Sequence, residues 1–194
     1  MALIFFISLS FPGFANTSDF SSLHREVGVP TKDVILKKLL YVCGLMNGAY
    51  LGMNDLVAAL NMKKNSSDPK VLSAQLFAVK IGLEDKPRMM RYISKEIRPC
   101  ENYPNFPLGF PDSPEGPEPI SVEFEKIADS LENLNICFQS NDIEFLKKEA
   151  NRVTFTVFWT ECEKIRAICF DLINFVRVNL KEDIPFEAYQ RHSR

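Results

Sequence analysis

Residues 141–178 contain neither Gly nor Pro, and they lie inside a longer run free of both. Nothing in that stretch forces a break, so one regular element can run its length. It opens on Asn141, Asp142, Ile143 and Glu144, a capping residue with Glu three positions on. Ile143, Leu146, Ala150, Val153 and Val157 form one apolar row, and Phe155, Phe158, Cys162, Ile165, Cys169, Leu172 and Val176 form a second. Both rows have the three-and-four spacing of a helix face. Residues 153–159 alternate Thr with large apolar side chains, as a strand would. The flanks keep the helical period, and helix is predicted throughout. Two apolar rows need cover on more than one side, as in a helix bundle.

Three more helices are predicted upstream. The first starts at Thr31-Lys32-Asp33 and runs to about Met62. Its core row is Ile35, Leu39, Val42, Met46, Ala49, Met53, Leu56 and Leu60. Gly44, Gly48 and Gly52 fall four apart on one face, a spacing that lets a neighbouring helix approach closely. Lys37, Lys38, Asn47, Asn54 and Asp55 interrupt any apolar run near the roughly 20 residues a membrane span needs. A polar turn over 63–68 leads to Asp68-Pro69, an N-cap followed by Pro at the first helical position. The second helix carries Leu72, Leu76, Val79 and Leu83, is broken or kinked at Pro87, and continues through Met89, Ile93 and Ile97 to Pro99. Seven of the twelve prolines fall in 99–119, which predicts a long loop or crossover. The third helix follows from about Ile120 to Phe138, with Ile120, Phe124, Ile127, Leu131, Leu134 and Phe138 on one face. After Leu180 the chain turns polar. Short turns after the first and third helices predict an all-α, antiparallel up-down-up-down four-helix bundle over 32–180 with a long Pro-rich loop between helices 2 and 3. Residues 181–194 are a polar tail.

Residues 2–11 are apolar apart from two serines, and Gly13-Phe14-Ala15 places small residues where a signal peptidase reads them. A signal peptide over 1–15, cleaved before Asn16, is expected, then a flexible lead-in over 16–31. Cleavage leaves a periplasmic or secreted protein with no membrane span. Asn16 and Asn65 each open a glycosylation sequon, about as often as thirteen Asn produce by chance.

The chain has 194 residues, 46% of them hydrophobic, enough for one domain with a real core. A net charge of −2 with both signs interspersed excludes a nucleic-acid binder and a polybasic membrane-surface protein. The two histidines, His24 and His192, lie near the ends, which counts against His-based metal sites and triads. Glu123 with Glu125, and Glu161 with Glu163, are two apart and cannot face each other on a helix, so both pairs are expected on solvated faces. No inward Glu-x-x-His pair is present for a di-iron centre. No catalytic residue and no metal ligand is predicted, and the chain is expected not to be an enzyme.

Five cysteines in an exported chain imply at least one unpaired thiol. Counting down the helices from level-matched tops puts Cys43 about 27 Å and Cys162 about 30 Å below the top. Cys100 and Cys169 fall near the bottom, and Cys137 beside the upper turn. Cys43–Cys162 and Cys100–Cys169 bridges are therefore expected, with Cys137 free. Cys43–Cys169 with Cys100–Cys162 is the alternative pairing.

From residue 106 onward the sequence resembles the cytochrome c′ family of periplasmic four-helix bundles. The resemblance rests on Phe106-Pro107-Leu108-Gly109, then Pro119-Ile120 and Phe124, Ala128 and Leu131, and on Asp142, Leu146, Val153 and Thr160-Glu161-Cys162. The first helix, with Met46 or Met53, and the 68–79 stretch fit more loosely. The resemblance implies the bundle fold and the periplasm. The family attaches haem through Cys-x-x-Cys-His near the end of the fourth helix. Here the matching stretch is Cys162-Glu163-Lys164-Ile165-Arg166, so Ile165 replaces the second thioether Cys and Arg166 the axial His. A guanidinium has no lone pair for iron. The expected function is a haem-free, cytochrome c′-like periplasmic binding or accessory module with no cofactor. Its expected partner is an unidentified protein or small ligand, or a second copy of the chain as a homodimer. Two alternatives stand beside it: a haem-binding electron carrier or gas binder, and a periplasmic immunity or inhibitor protein.

Overall fold

A computed structural model describes residues 29–61, 68–109, 116–141, 144 and 150–184. The signal segment, both histidines, both sequons, and Asp142 and Ile143 of the expected capping sequence lie outside these residues. The described chain is all-α. Its elements are α1 (Lys32–Asn61), α2 (Pro69–Glu84), α3 (Lys86–Ile97), a 3-10 turn (Arg98–Asn102), α4 (Ile120–Ser140) and α5 (Ala150–Phe175), which closes in a π-turn (Val176–Leu180). Among the described residues the strand-like pairing is one isolated bridge, Leu108 to Pro119, which ties the ends of the Pro-rich loop together.

Each helix begins and ends for local reasons. Asp68 accepts a hydrogen bond from the Lys70 N–H at 2.9 Å, and Pro69 follows in the first turn, where its missing N–H costs nothing. The expected break at Pro87 falls instead at Asp85 alone. Pro87 sits in the first turn of α3, so it starts a helix rather than stopping one. Asn141, expected to cap the last helix, caps the end of α4: its Nδ2 donates to the Cys137 carbonyl at 2.7 Å. Residues 153–159 are helical. Lys181, at φ 59°, ends the π-turn in the left-handed region.

The N-terminus of α4 has Pro119 at its cap position and no side-chain cap of its own. Glu101, from the 3-10 turn, supplies one. Its carboxylate accepts from the Ser121 N–H at 2.6 Å and from the Ser121 hydroxyl at 2.8 Å. A carboxylate there also meets the positive end of the helix dipole. Glu101→Ala should therefore lower stability by about 1–2 kcal/mol in urea denaturation, and Glu101→Gln by less.

The helices pair in opposed directions. Between α1 and α3 the rungs are Lys38 with Glu96, Tyr41 with Tyr92 at 2.9 Å, and Gly48 under Met89. Between α3 and α4 they are Arg98 with Glu125, and Arg91 with Asp129 and Glu132. Between α1 and α5 they are Met46 with Cys169 and Tyr50 with Cys162. Of the expected core rows, Ile35, Leu39, Val42, Met46, Ala49, Met53 and Leu56 on α1, all of the α4 row, and Phe158, Cys162, Ile165, Cys169, Leu172 and Val176 are buried and Val157 is half-buried, while Leu60, Ile143, Leu146, Ala150, Val153 and Phe155 lie outside the residues whose side chains are described. Tyr103 and Phe106 in the loop close the end of this core, edge-on to Phe175 at 5.9 and 5.1 Å between ring centres.

Two members of the α1 glycine stripe, Gly48 and Gly52, face α3. A Cβ on Gly52 would meet Lys86 Nζ at 2.7 Å, and one on Gly48 would touch Met89 at 3.7 Å. Gly44 meets nothing within 4 Å and is exposed. Gly44→Ala should raise stability by about 0.5–1 kcal/mol, because it removes backbone freedom from the unfolded chain and fills only solvent. By length and composition α1 is apolar enough to cross a membrane, which corrects the expectation drawn from its scattered polar residues. In this fold its apolar rows are covered by α3 and α5.

Candidate functional site: a thiol core between α1 and α5

The chemically distinctive side chains converge where α1 crosses α5. Helical spacing turns Cys43, Met46, Tyr50 and Met53 of α1 inward. The same spacing turns Cys162, Ile165, Ile168 and Cys169 of α5 to meet them, and all are buried. The Cys169 thiol donates to Met46 Sδ at 3.3 Å, and the Cys162 thiol lies 4.0 Å from the Tyr50 carbonyl oxygen. Cys100, on the 3-10 turn, reaches the same core from below.

All five cysteines are free thiols, so the expected Cys43–Cys162 and Cys100–Cys169 bridges are not formed, nor is the alternative pairing. The reason is helix register. Level-matched ends would place Cys43 opposite Cys162, but Cys162 faces Tyr50, two turns further along α1. Two turns is about 10 Å, beyond disulfide reach. Cys43 instead lies near Cys100 and Cys169: beyond burial, Cys100 pushes the Cys43 thiol up, and Cys43 does the same to the Cys169 thiol. Cys137 is half-buried, with Asn141 Nδ2 3.9 Å from its sulfur.

Burial works against thiolate formation in this core. Burial pushes the Cys43, Cys100 and Cys162 thiols up to about 12, with neighbouring Cys100, Glu101 and Glu163 adding to the respective shifts. Burial also holds Cys169 well above its ordinary value. A thiolate is the reactive and metal-binding form, and these groups keep their protons at neutral pH. Among the described residues no three His, Cys, Asp or Glu side chains are placed to hold a metal ion.

The residues also fail to fit haem at the stretch matching the family's attachment site. Ile165 is fully buried as a core residue. Arg166 projects to the helix flank, where its guanidinium pairs with Glu163 at 2.7 Å. Neither supplies a thioether sulfur or an iron ligand.

Two readings of the acidic pairs need correction. Glu161 is buried and held by Lys164 at 3.2 Å, and Glu123 is buried with its Cγ against Gly109. Their partners Glu163 and Glu125 lie on the surface side and pair with Arg166, Arg91 and Arg98. Sequence reasoning also missed the half-buried Lys38–Glu96 ion pair and the Lys86 amine laid over Gly52. Burial lowers the Lys86 pKa, against the pull of Asp85 and Asp55. The one signal for either contact is the glycine stripe, and it becomes readable once α3 is known to be the neighbour.

No protein-family model matches the chain, and no curated protein or solved structure does either.

Proposed function

We propose that the chain is a haem-free binding or accessory module, not an enzyme, built as an up-down-up-down four-helix bundle of the cytochrome c′ kind. In this reading α2 and α3 are two segments of one bent limb. The opposed rungs of α1 with α3, α3 with α4 and α1 with α5 support that arrangement. The observation that carries the haem-free reading is Arg166 paired with Glu163 on the flank while Cys162 and Ile165 pack inward. With the interior given over to packing, function falls to the outer surface.

Export to the periplasm or beyond is part of the proposal and rests on residues 2–15 alone. Five unbridged thiols weigh against a long residence in an oxidising compartment. One experiment tests all of this: intact mass and absorption spectrum of chain expressed from Met1 in a bacterium that matures c-type cytochromes. The expected result is an exported polypeptide beginning at Asn16, without haem mass or Soret band. A Soret band establishes the haem carrier or gas binder instead, and exported protein retaining Met1 ends the signal-peptide reading.

A further inference from the structure

We propose that Cys169 and Met46, with Cys43 beside them, form a buried site for one soft monovalent metal ion, copper(I), held between α1 and α5. The inference goes beyond the haem-free reading, which leaves the interior to packing, and does not depend on it. The Cys169 thiol donates to the Met46 sulfur at 3.3 Å, and neither residue is exposed. Cys43 lies three residues before Met46, one turn along the same buried face of α1. It is close enough to Cys169 to push that thiol up. Three sulfur atoms from two helices thus gather at one level of the core. Their buried neighbours along those helices, Val42, Ala49, Ile165, Ile168 and Leu172, carry hydrocarbon alone.

The donor set says which ion fits. Thiolate and thioether sulfur suit copper(I), zinc and iron–sulfur clusters, whereas magnesium, calcium and manganese want oxygen. Zinc and iron–sulfur centres need a fuller set of strong ligands than two thiols and one thioether supply. Copper(I) is satisfied by two or three sulfurs. Charge makes the same choice, because an ion is buried cheaply only when it is neutralised on the spot. The step is Cys169 S–H plus Cu⁺ giving Cys169 S–Cu, with the proton released to water and no electron moved. One thiolate and one monovalent ion sum to zero, so the apolar core gains no net charge. Burial penalises a bare thiolate, and a metal-bound one escapes that penalty. Met46 donates a neutral lone pair, and Cys43 stays a neutral thiol and offers a weaker third donor. With metal–sulfur bonds of about 2.3 Å, two sulfurs on one ion stand about 4.0–4.6 Å apart, so the pair must open by about 1 Å. Met46, with three rotatable bonds, can make that adjustment.

Competition of the reduced, oxygen-free full chain against the copper(I) chelator bicinchoninate reads the binding. The wild type should withhold one copper(I) per chain, and X-ray absorption at the copper edge should show sulfur neighbours alone. Losing a residue that merely supports a metal ligand costs about 10- to 100-fold in affinity, so Cys169→Ser, which removes a ligand, should cost at least about 100-fold. Met46→Leu should cost about tenfold and Cys43→Ala about fivefold. Cys137→Ser removes a thiol outside the site and should leave the affinity within about twofold of wild type. Met46→Leu conserves volume and keeps the fold, as circular dichroism should show, so it decides the matter even if Cys169→Ser fails to fold. A chain that withholds no copper(I) from the chelator overturns the proposal. So does unchanged affinity in Met46→Leu or Cys43→Ala, and so does binding abolished by Cys137→Ser. Haem uptake would end the haem-free reading while leaving these copper affinities to be judged on their own.

Discussion

At pH 8 an aromatic disulfide reagent should modify one thiol of the folded chain rapidly, at Cys137, and the other four at least about 100-fold more slowly. Cys43, Cys100 and Cys162 are buried and pushed up to about 12. At pH 8 a thiol of that pKa is ionised to about one part in 10⁴, and burial keeps the reagent out besides. Cys169 is shielded in the same way. In denaturant all five should react. A single reactive thiol in the denatured, unreduced chain would instead establish the two bridges that depth counting suggested. The same thiols set a pH dependence. Their folded pKa values lie above the ordinary value of 9.0, so the stability they contribute is fully present below pH 9. Between about 9 and 12 the unfolded chain holds fewer protons than the folded one. Stability should therefore fall there, by up to about 1.4 kcal/mol per thiol per pH unit. Urea midpoints measured across that range read it, and a Cys43→Ala variant should flatten the slope.

Phe124→Ala should cost about 3–5 kcal/mol, because it removes a fully buried ring and α4 cannot collapse into the space left. That is a large share of the roughly 5–15 kcal/mol a domain of this kind has. Phe124→Leu, which keeps most of the volume, should cost less than about 1.5 kcal/mol. The contrast lies on α2, where Phe77→Ala removes an exposed ring and should leave the unfolding free energy of dilute protein within about 0.5 kcal/mol. A Phe124→Ala loss below 1 kcal/mol would mean that the α4 row is not the core seam described here.

The helices were legible because their signals are local. The α4 row Ile120, Phe124, Ile127, Leu131, Leu134 and Phe138 is buried at every position. The Asp68-Pro69 start of α2 is an arrangement of neighbours in sequence. Pro87 misled for a local reason too: its fixed φ and missing N–H suit a first turn as well as they spoil an interior. The pairs of acids show where local spacing stops. It separates Glu161 from Glu163 correctly, but which of the two is buried depends on the helix that covers the face. Of the stretch expected to hold a degenerate attachment site, Ile165 and Arg166 could be read as non-ligands from their side chains alone. That Arg166 is held by Glu163, three residues away on the same helix, followed once the helix was known.

By itself the sequence determined the all-α class and, among the described residues, the bounds of α1 and α4 to within a few residues and the inward rows of α1, α2, α4 and of α5 from Phe158 onward. Hydrophobic period, capping residues and the proline-dense connector are all properties of neighbouring residues. The tertiary structure alone decided register and partner. A shift of two turns along α5 leaves the apolar period of α1 unchanged, so the sequence pattern does not distinguish the two registers, yet it moves Cys162 from Cys43 to the Tyr50 carbonyl. It likewise decided that Gly48 and Gly52 receive Met89 and Lys86, and that Glu101 caps α4 across the 98–102 turn. Such contacts join residues tens of positions apart, and the relative placement of packed helices arises from the fit of whole surfaces rather than from any short pattern.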